Sequence, residues 1–229
     1  MSRDNAMYID GDKSQKIGVF GGTFDPVHEG HVGIADQVLA RGIVDRILFV
    51  PALNPPHKNA ARASFADRVA MLDRGLAGRG NMAVSTIEEM RSGPSYTLHT
   101  IKALQDQYPD ARLVFLMGAD SLLDFQKWYR FKEILNNADL LVLARPGIDE
   151  KSCAQTIIEL PGGYTRISNR DGLVVHEGEK GNRLYFFSPE QTWPVSSTEI
   201  REQLASGGVA KEIPPQVLAY IRNHHLYGA

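Results

Sequence analysis

Only one cysteine, Cys153, occurs in 229 residues, which excludes an intramolecular disulfide framework and fits a reducing compartment. It stands in a stretch of helical periodicity and reads as a packed or surface thiol. An excess of positive charge is also missing: 25 Lys and Arg face 27 Asp and Glu, a net charge of −2. That balance argues against a nucleic-acid partner, yet leaves room for a local phosphate pocket. No apolar run approaches the roughly 20 residues that span a bilayer, so no membrane partner is expected. Residues 1–15 lack the apolar core of a signal peptide and read as a flexible extension. The expectation is one domain over 16–229, in the cytoplasm.

What the chain does have is alternation. Short apolar runs, "KIGVFGG" (16–22), "DRILFVPA" (45–52), "MAVSTIE" (82–88), "RLVFLMGAD" (112–120) and "DLLVLARPG" (139–147), read as buried strands. Between them lie amphipathic segments at 31–42, 64–78 and 95–109, and "FKEILNNA" at 131–138. Ser64 and Asp67 have capping-box spacing, and Ser95 is the expected cap of the 95–109 helix. A helix near 150–160, then turns, then the strand "RLYFFSP" fill the next stretch, and two helices close the chain. The order predicts an α/β fold: a Rossmann-like, doubly wound, mostly parallel sheet with helices on both faces and a C-terminal helical segment.

Open sheets of this kind bind ligands beyond the carboxyl ends of their strands. After the first strand comes "GGTFDPVHEGHV". Gly21 and Gly22 are expected to take positive φ and let backbone approach a ligand, with a helix start just beyond to favour an anion. The segment is neither a Walker A loop nor a G-x-G-x-x-G fingerprint. His28 and His31 share one face of that helix start. They can be read as zinc ligands, as structural histidines, or as N–H donors to a phosphate. Zinc lacks a third ligand in any recognisable spacing, and the adjacent anion site favours the donor reading.

"HEGH" (28–31), preceded by Thr23 in T-x-x-x-x-H-x-x-H spacing, resembles the first signature of the nucleotidylyltransferase superfamily. "VSSTEIR" (195–201) resembles its second signature, with Val195 for isoleucine. "NPPHK", "GPSYTLHT", "MGADSLLDFQKWY" and "ARPG" are similar to segments of the bacterial nicotinate mononucleotide adenylyltransferases. The resemblance covers about 16–227.

It implies transfer of AMP from ATP to nicotinate mononucleotide, giving nicotinate adenine dinucleotide and pyrophosphate, by in-line attack without a covalent intermediate. It implies His28, His31 and Arg201 as catalytic residues. Gly21, Gly22, Thr23, Phe24, Gly118, Asp120, Ser196, Ser197, Thr198 and Lys58 would bind ATP, and Thr97, Trp128 and Tyr129 the acceptor. Mg²⁺ would come with ATP and be held mostly by phosphates, with no protein side chain assigned to it. Ser196 and Glu199 also have capping-box spacing, and Asp120 reads equally as a helix cap. The alternatives are an adenylyltransferase for nicotinamide mononucleotide or phosphopantetheine, and an ATP-binding protein without turnover.

Overall fold

The computed structural model describes residues 14–54, 61–145 and 147–229. Its centre is a sheet of eight strands, β1 (Lys16–Gly22), β2 (Arg46–Pro51), β3 (Met82–Val84), β4 (Arg112–Gly118), β5 (Asp139–Leu143), β6 (Thr165–Arg170), β7 (Leu173–Glu177) and β8 (Arg183–Phe187). They lie in the order β3-β2-β1-β4-β5-β8-β7-β6. The six strands from β3 to β8 pair in parallel, and β7 and β6 add an antiparallel edge. Strand order reverses between β1 and β4, and that switch point opens a crevice at their carboxyl ends.

The parallel strands are apolar almost throughout because both faces are covered. On one face α1 (Glu29–Ala40), α2 (Phe65–Gly75), α7 (Ser197–Ala205) and α8 (Pro215–Asn223) pack Val32, Met71, Leu72, Ile200, Leu204, Val217 and Ile221 against Phe49, Leu116, Leu141 and Phe187. On the other, α3 (Thr97–Gln107), α4 (Ala119–Leu123), α5 (Phe131–Asn137) and α6 (Glu150–Glu159) pack Leu98, Ile101, Leu122, Ile134 and Ile157 against Ile17, Val19, Phe115 and Leu140. Each such side chain contributes roughly 1.5–3 kcal/mol of burial. Cys153, on α6, is buried in this second layer.

At the opposite, amino ends of the strands, Arg112 grips Asp139 with two bonds of 2.6 and 3.0 Å. Asp139 also accepts the Arg183 N–H at 2.7 Å, so one buried carboxylate ties the starts of β4, β5 and β8. Burial drives its pKa up, against the pull of Arg112.

Several sequence expectations are corrected. The third strand ends at Val84 rather than 88, and Ile87–Met90 forms a 3₁₀ turn that buries Glu88. The fifth strand stops at Leu143. The first helix begins at Glu29, two residues earlier than its apolar pattern. The turns expected between residues 160 and 183 are the hairpin β6–β7, closed by Asp171 and Gly172, both at positive φ (48° and 75°), as a two-residue hairpin turn requires. The expected cap Ser95 is not one: Tyr96 holds the N-cap position of α3, and Ser95 Oγ accepts the Asn54 N–H at 2.9 Å instead. That bond ties the loop after β2 to the start of α3. Of the expected flexible extension, residues 1–13 lie outside the described residues.

Candidate active site

The loop from Thr23 to His28 follows β1 and enters α1. Gly21 and Gly22 do not take positive φ; both are extended and paired with Val50 and Pro51 as the last rungs of β1. The left-handed residue is Phe24, at φ 50°. An aromatic residue there is strained by about 1–3 kcal/mol and is held by its packing. Its ring is buried against Phe20, Phe49 and His31, with centroid separations of 5.7, 5.5 and 5.0 Å. A β-carbon on Gly22 would lie 2.8 Å from that ring, which is why the turn needs glycine. Phe24 therefore anchors the loop, and only its backbone is available to a ligand. The peptide between Asp25 and Pro26 is cis.

His28 is the N-cap of α1, and the two imidazoles lie against one another, 3.8 Å between centroids. The His28 N–H donates to His31 Nδ1 at 3.4 Å, so in the neutral His31 ring the proton sits on Nε2. His28 is buried, its Nδ1 has no hydrogen-bond partner, and its pKa falls to about 4. Burial is the chief cause and the positive charge of Arg145 the next, with Glu199 pulling the other way. At neutral pH His28 is an uncharged imidazole at a helix N-terminus, suited to hydrogen-bond an anion rather than to carry a proton.

The second signature meets the first. Ser196 caps α7 in a closed capping box with Glu199: its Oγ accepts the Glu199 N–H at 3.2 Å, and the Ser196 N–H reaches Glu199 Oε2 at 2.7 Å. Ser197 Oγ donates to the Pro26 carbonyl at 3.0 Å. Arg201 lies in the second turn of α7; its Nη1 donates to the Asp25 carbonyl at 2.7 Å and its Nη2 to Thr198 Oγ1 at 3.1 Å. The side chains of this signature thus clamp the loop of the first. The main-chain N–H groups of Ser197 and Thr198 lack intrahelical partners, as at every helix start, and such a start favours an anion.

Gly118 ends β4, and Asp120 follows in the first turn of α4. Asp120 is not a helix cap; its carboxylate lies 3.4 Å from Arg145 Nε, beyond the end of β5. On the acceptor side, Trp128 is half-buried, edge-on to Phe115 and Phe125 at 6.0 and 5.5 Å. Phe115 also lies 3.5 Å from where a β-carbon of Gly21 would be, so it links Trp128 to the end of β1. Tyr129 stacks on Tyr96 at 4.4 Å and meets His99 edge-on at 5.5 Å, next to Thr97 in the first turn of α3. Lys58 lies outside the described residues.

Four residues of this constellation are absent from the sequence reading. Arg145 stands within the "ARPG" segment, which assigns it no role by itself. Arg68, 2% exposed, donates to the Thr23 carbonyl at 2.8 Å from inside α2. An arginine on the apolar face of an amphipathic helix is the signal that could have found it. Trp193 packs on α1, and Tyr227 reaches Asp25; neither has a local pattern that announces it.

Two helix N-termini, an uncharged His28 stacked on His31, and two arginines surround a strand-end crevice, an arrangement that suits a phosphate-bearing ligand. A model of the cytidylyltransferase-like family matches residues 19–203. Two bacterial relatives named "Probable nicotinate-nucleotide adenylyltransferase" align along nearly the whole length. The protein of Gloeobacter violaceus is 38% identical over 220 residues, covering 93% of this chain and 96% of its own. That of Neisseria meningitidis serogroup C is 40% identical over 213 residues, covering 93% and 98%. The chain belongs to the cytidylyltransferase-like family and, within it, to the nicotinate-nucleotide adenylyltransferases. The fold is also that of a Plasmodium falciparum nicotinic acid mononucleotide adenylyltransferase solved with NaAD, at a TM-score of 0.71 and 18% identity, over 93% of this chain and 98% of that one.

Proposed function

We propose that this protein transfers the adenylyl group of ATP to nicotinate mononucleotide, releasing pyrophosphate, as its relatives' names describe. The observation that carries the reading is the bonding of the two signatures, through Arg201 to the Asp25 carbonyl and Ser197 to the Pro26 carbonyl.

The nucleophile would be an oxygen of the acceptor's phosphate monoester, whose second pKa is about 6, so it is already ionised at neutral pH and needs no general base. It attacks the α-phosphorus of ATP. The new P–O bond forms as the bond to the bridging oxygen breaks, and the electron pair leaves with pyrophosphate. What the site must supply is alignment and charge stabilisation. His28 and His31 would donate hydrogen bonds to the phosphates, and Arg201 and Arg145 would supply permanent charge. The first-turn N–H groups of α7 would hold the far phosphates. Trp128 would lie on the pyridine ring, which is cationic and suits an indole face. Thr97 and the backbone at Tyr129 would meet its carboxylate.

Mg²⁺ suits this donor set only as a partner of the nucleotide. No group of three or more His, Cys, Asp and Glu side chains among the described residues could hold it, and Asp25 is already filled by hydrogen bonds. Asp120, in the first turn of α4 just past the end of β4, would be the carboxylate to meet a phosphate-held ion. Such an ion, when bound, neutralises the charge that develops on pyrophosphate.

The test is pyrophosphate release from ATP and Mg²⁺ with three separate acceptors: nicotinate mononucleotide, its amide and phosphopantetheine. Preference for the acid supports the reading. Preference for either other acceptor discards the substrate assignment, and tight ATP binding with no release discards the activity.

A further inference from the structure

Tyr227 lies in the turn Leu226–Gly228 and donates its hydroxyl to Asp25 Oδ1 at 2.6 Å, across 202 positions of sequence. Its backbone sits at φ 59°, a strained conformation for an aromatic residue, so the contact is held at some cost. Asp25 is 4% exposed. Its other donors are the main-chain N–H groups of Arg62, at 2.7 Å to Oδ2, and Ala63, at 3.1 Å to Oδ1. Beside this carboxylate stands Arg201, bonded to the Asp25 carbonyl at 2.7 Å but 4.0 Å from Oδ2, outside hydrogen-bond range.

A buried carboxylate short of donors draws in the nearest cation. We infer that Tyr227 is a positioning residue for the triphosphate: by completing the donor set of Asp25, its hydroxyl keeps the Arg201 guanidinium on the main chain of the phosphate loop and out of a closed pair with the carboxylate. Burial and the Asp25 charge push the phenol pKa far up, so the hydroxyl stays a donor throughout the working pH range. Without it, Arg201 closes on Asp25, its fork turns away from the phosphates, and the loop between Phe24 and His28 loses a restraint. This rests on the adenylyl-transfer reading, in which a triphosphate is the ligand.

The test is a double-mutant cycle on the binding of the α,β-methylene analogue of ATP with Mg²⁺, read by calorimetry on Tyr227→Phe, Arg201→Ala and the pair. Tyr227→Phe keeps the ring and removes only the hydroxyl. The expected result is about a tenfold loss of analogue affinity, the scale of one charge-assisted hydrogen bond. The melting temperature should stay within a few degrees of wild type, and KM for nicotinate mononucleotide within about twofold. In the Arg201→Ala background, Tyr227→Phe should cost nothing further, because the guanidinium it positions is gone. Additive losses in the cycle, an unchanged affinity, or an equal loss for both substrates would overturn the inference. Failure of the adenylyl-transfer reading would show separately, as a wild-type protein that binds the analogue but does not turn over.

Discussion

Trp193 lies against α1 at Gly33 so closely that a β-carbon there would sit 2.1 Å from Cη2 of the indole, with two more ring carbons within 2.8 Å. At Gly30, one turn earlier, a β-carbon would lie 3.0 Å from the His28 ring and 3.3 Å from the Trp193 β-carbon. The tryptophan therefore leans on the same short helix face that carries the histidine pair, and it precedes the cap of α7 by only three residues. It joins the start of α1 to the start of α7 by packing.

Gly33→Ala should push the indole off α1. Overpacking of this kind costs about 1–3 kcal/mol. The midpoint of urea unfolding should fall accordingly, and KM for ATP should rise as the start of α7 shifts. An unfolding midpoint equal to wild type would mean that the indole is free to swing away and does not brace the site.

His28 makes stability depend on pH in a fixed direction. Its pKa is about 4 in the folded protein against 6.5 for an ordinary histidine, so between those values the unfolded chain holds more protons. Stability is whole above pH 6.5 and is lost as the pH falls toward 4. The depression is worth up to about 3 kcal/mol. Urea unfolding of wild type and His28→Asn at pH 7, 6 and 5 should give a gap that changes in this sense. Parallel profiles would show that His28 does not titrate differently on folding. His99 and His176, whose pKa values burial also lowers, are common to both proteins and cancel.

The parts of the fold that announce themselves in sequence are those with a local cause. The bounds of β1, read as 16–22, match the structure, and the Ser64–Asp67 and Ser196–Glu199 capping pairs hold their helices as their spacing implies. The hairpin β6–β7 does not show as strands in the sequence because β6, "TRISNR", is an exposed edge strand with no apolar alternation; the Asp171–Gly172 pair is its one local signal. The site divides the same way. His28, His31 and Arg201 sit in recognisable spacing. Tyr227, Trp193 and Arg68 act through contacts across 45 residues or more, Arg68 with Thr23 at the nearest and Tyr227 with Asp25, 202 apart, at the farthest, and no local pattern encodes such a meeting. The positive φ expected at Gly21 and Gly22 fell instead on Phe24, because strand pairing with β2 keeps both glycines extended and tertiary packing holds the aromatic ring in place.

Trp128 offers a test of the acceptor side that leaves the phosphates alone. It is held edge-on by Phe115 and Phe125, so its ring orientation is set before any ligand arrives. Trp128→Ala should raise KM for nicotinate mononucleotide by about tenfold, the scale of a desolvated cation–π contact, with KM for ATP little changed. Trp128→Phe should recover part of the loss. Equal effects on both substrates would mean that the ring supports the fold around β4 and not the acceptor.

Arg145 connects charge at the site to the protonation of His28. It is the second cause of the depressed His28 pKa and is paired with Asp120 at 3.4 Å, so it is held at the crevice by a carboxylate that its own charge balances. Replacing it with glutamine removes the positive field and leaves burial as the main force on the imidazole. The His28 ring should then titrate above its present value of about 4, as followed by proton NMR of its Cε1–H. KM for ATP should rise severalfold, since a forked cation is lost next to the phosphates. Asp120→Asn should act in the opposite sense on the histidine: with its counter-charge gone, the guanidinium field on His28 is stronger and the titration moves lower still. If the two variants shift His28 the same way, the field of Arg145 does not reach the ring, and burial alone keeps it neutral.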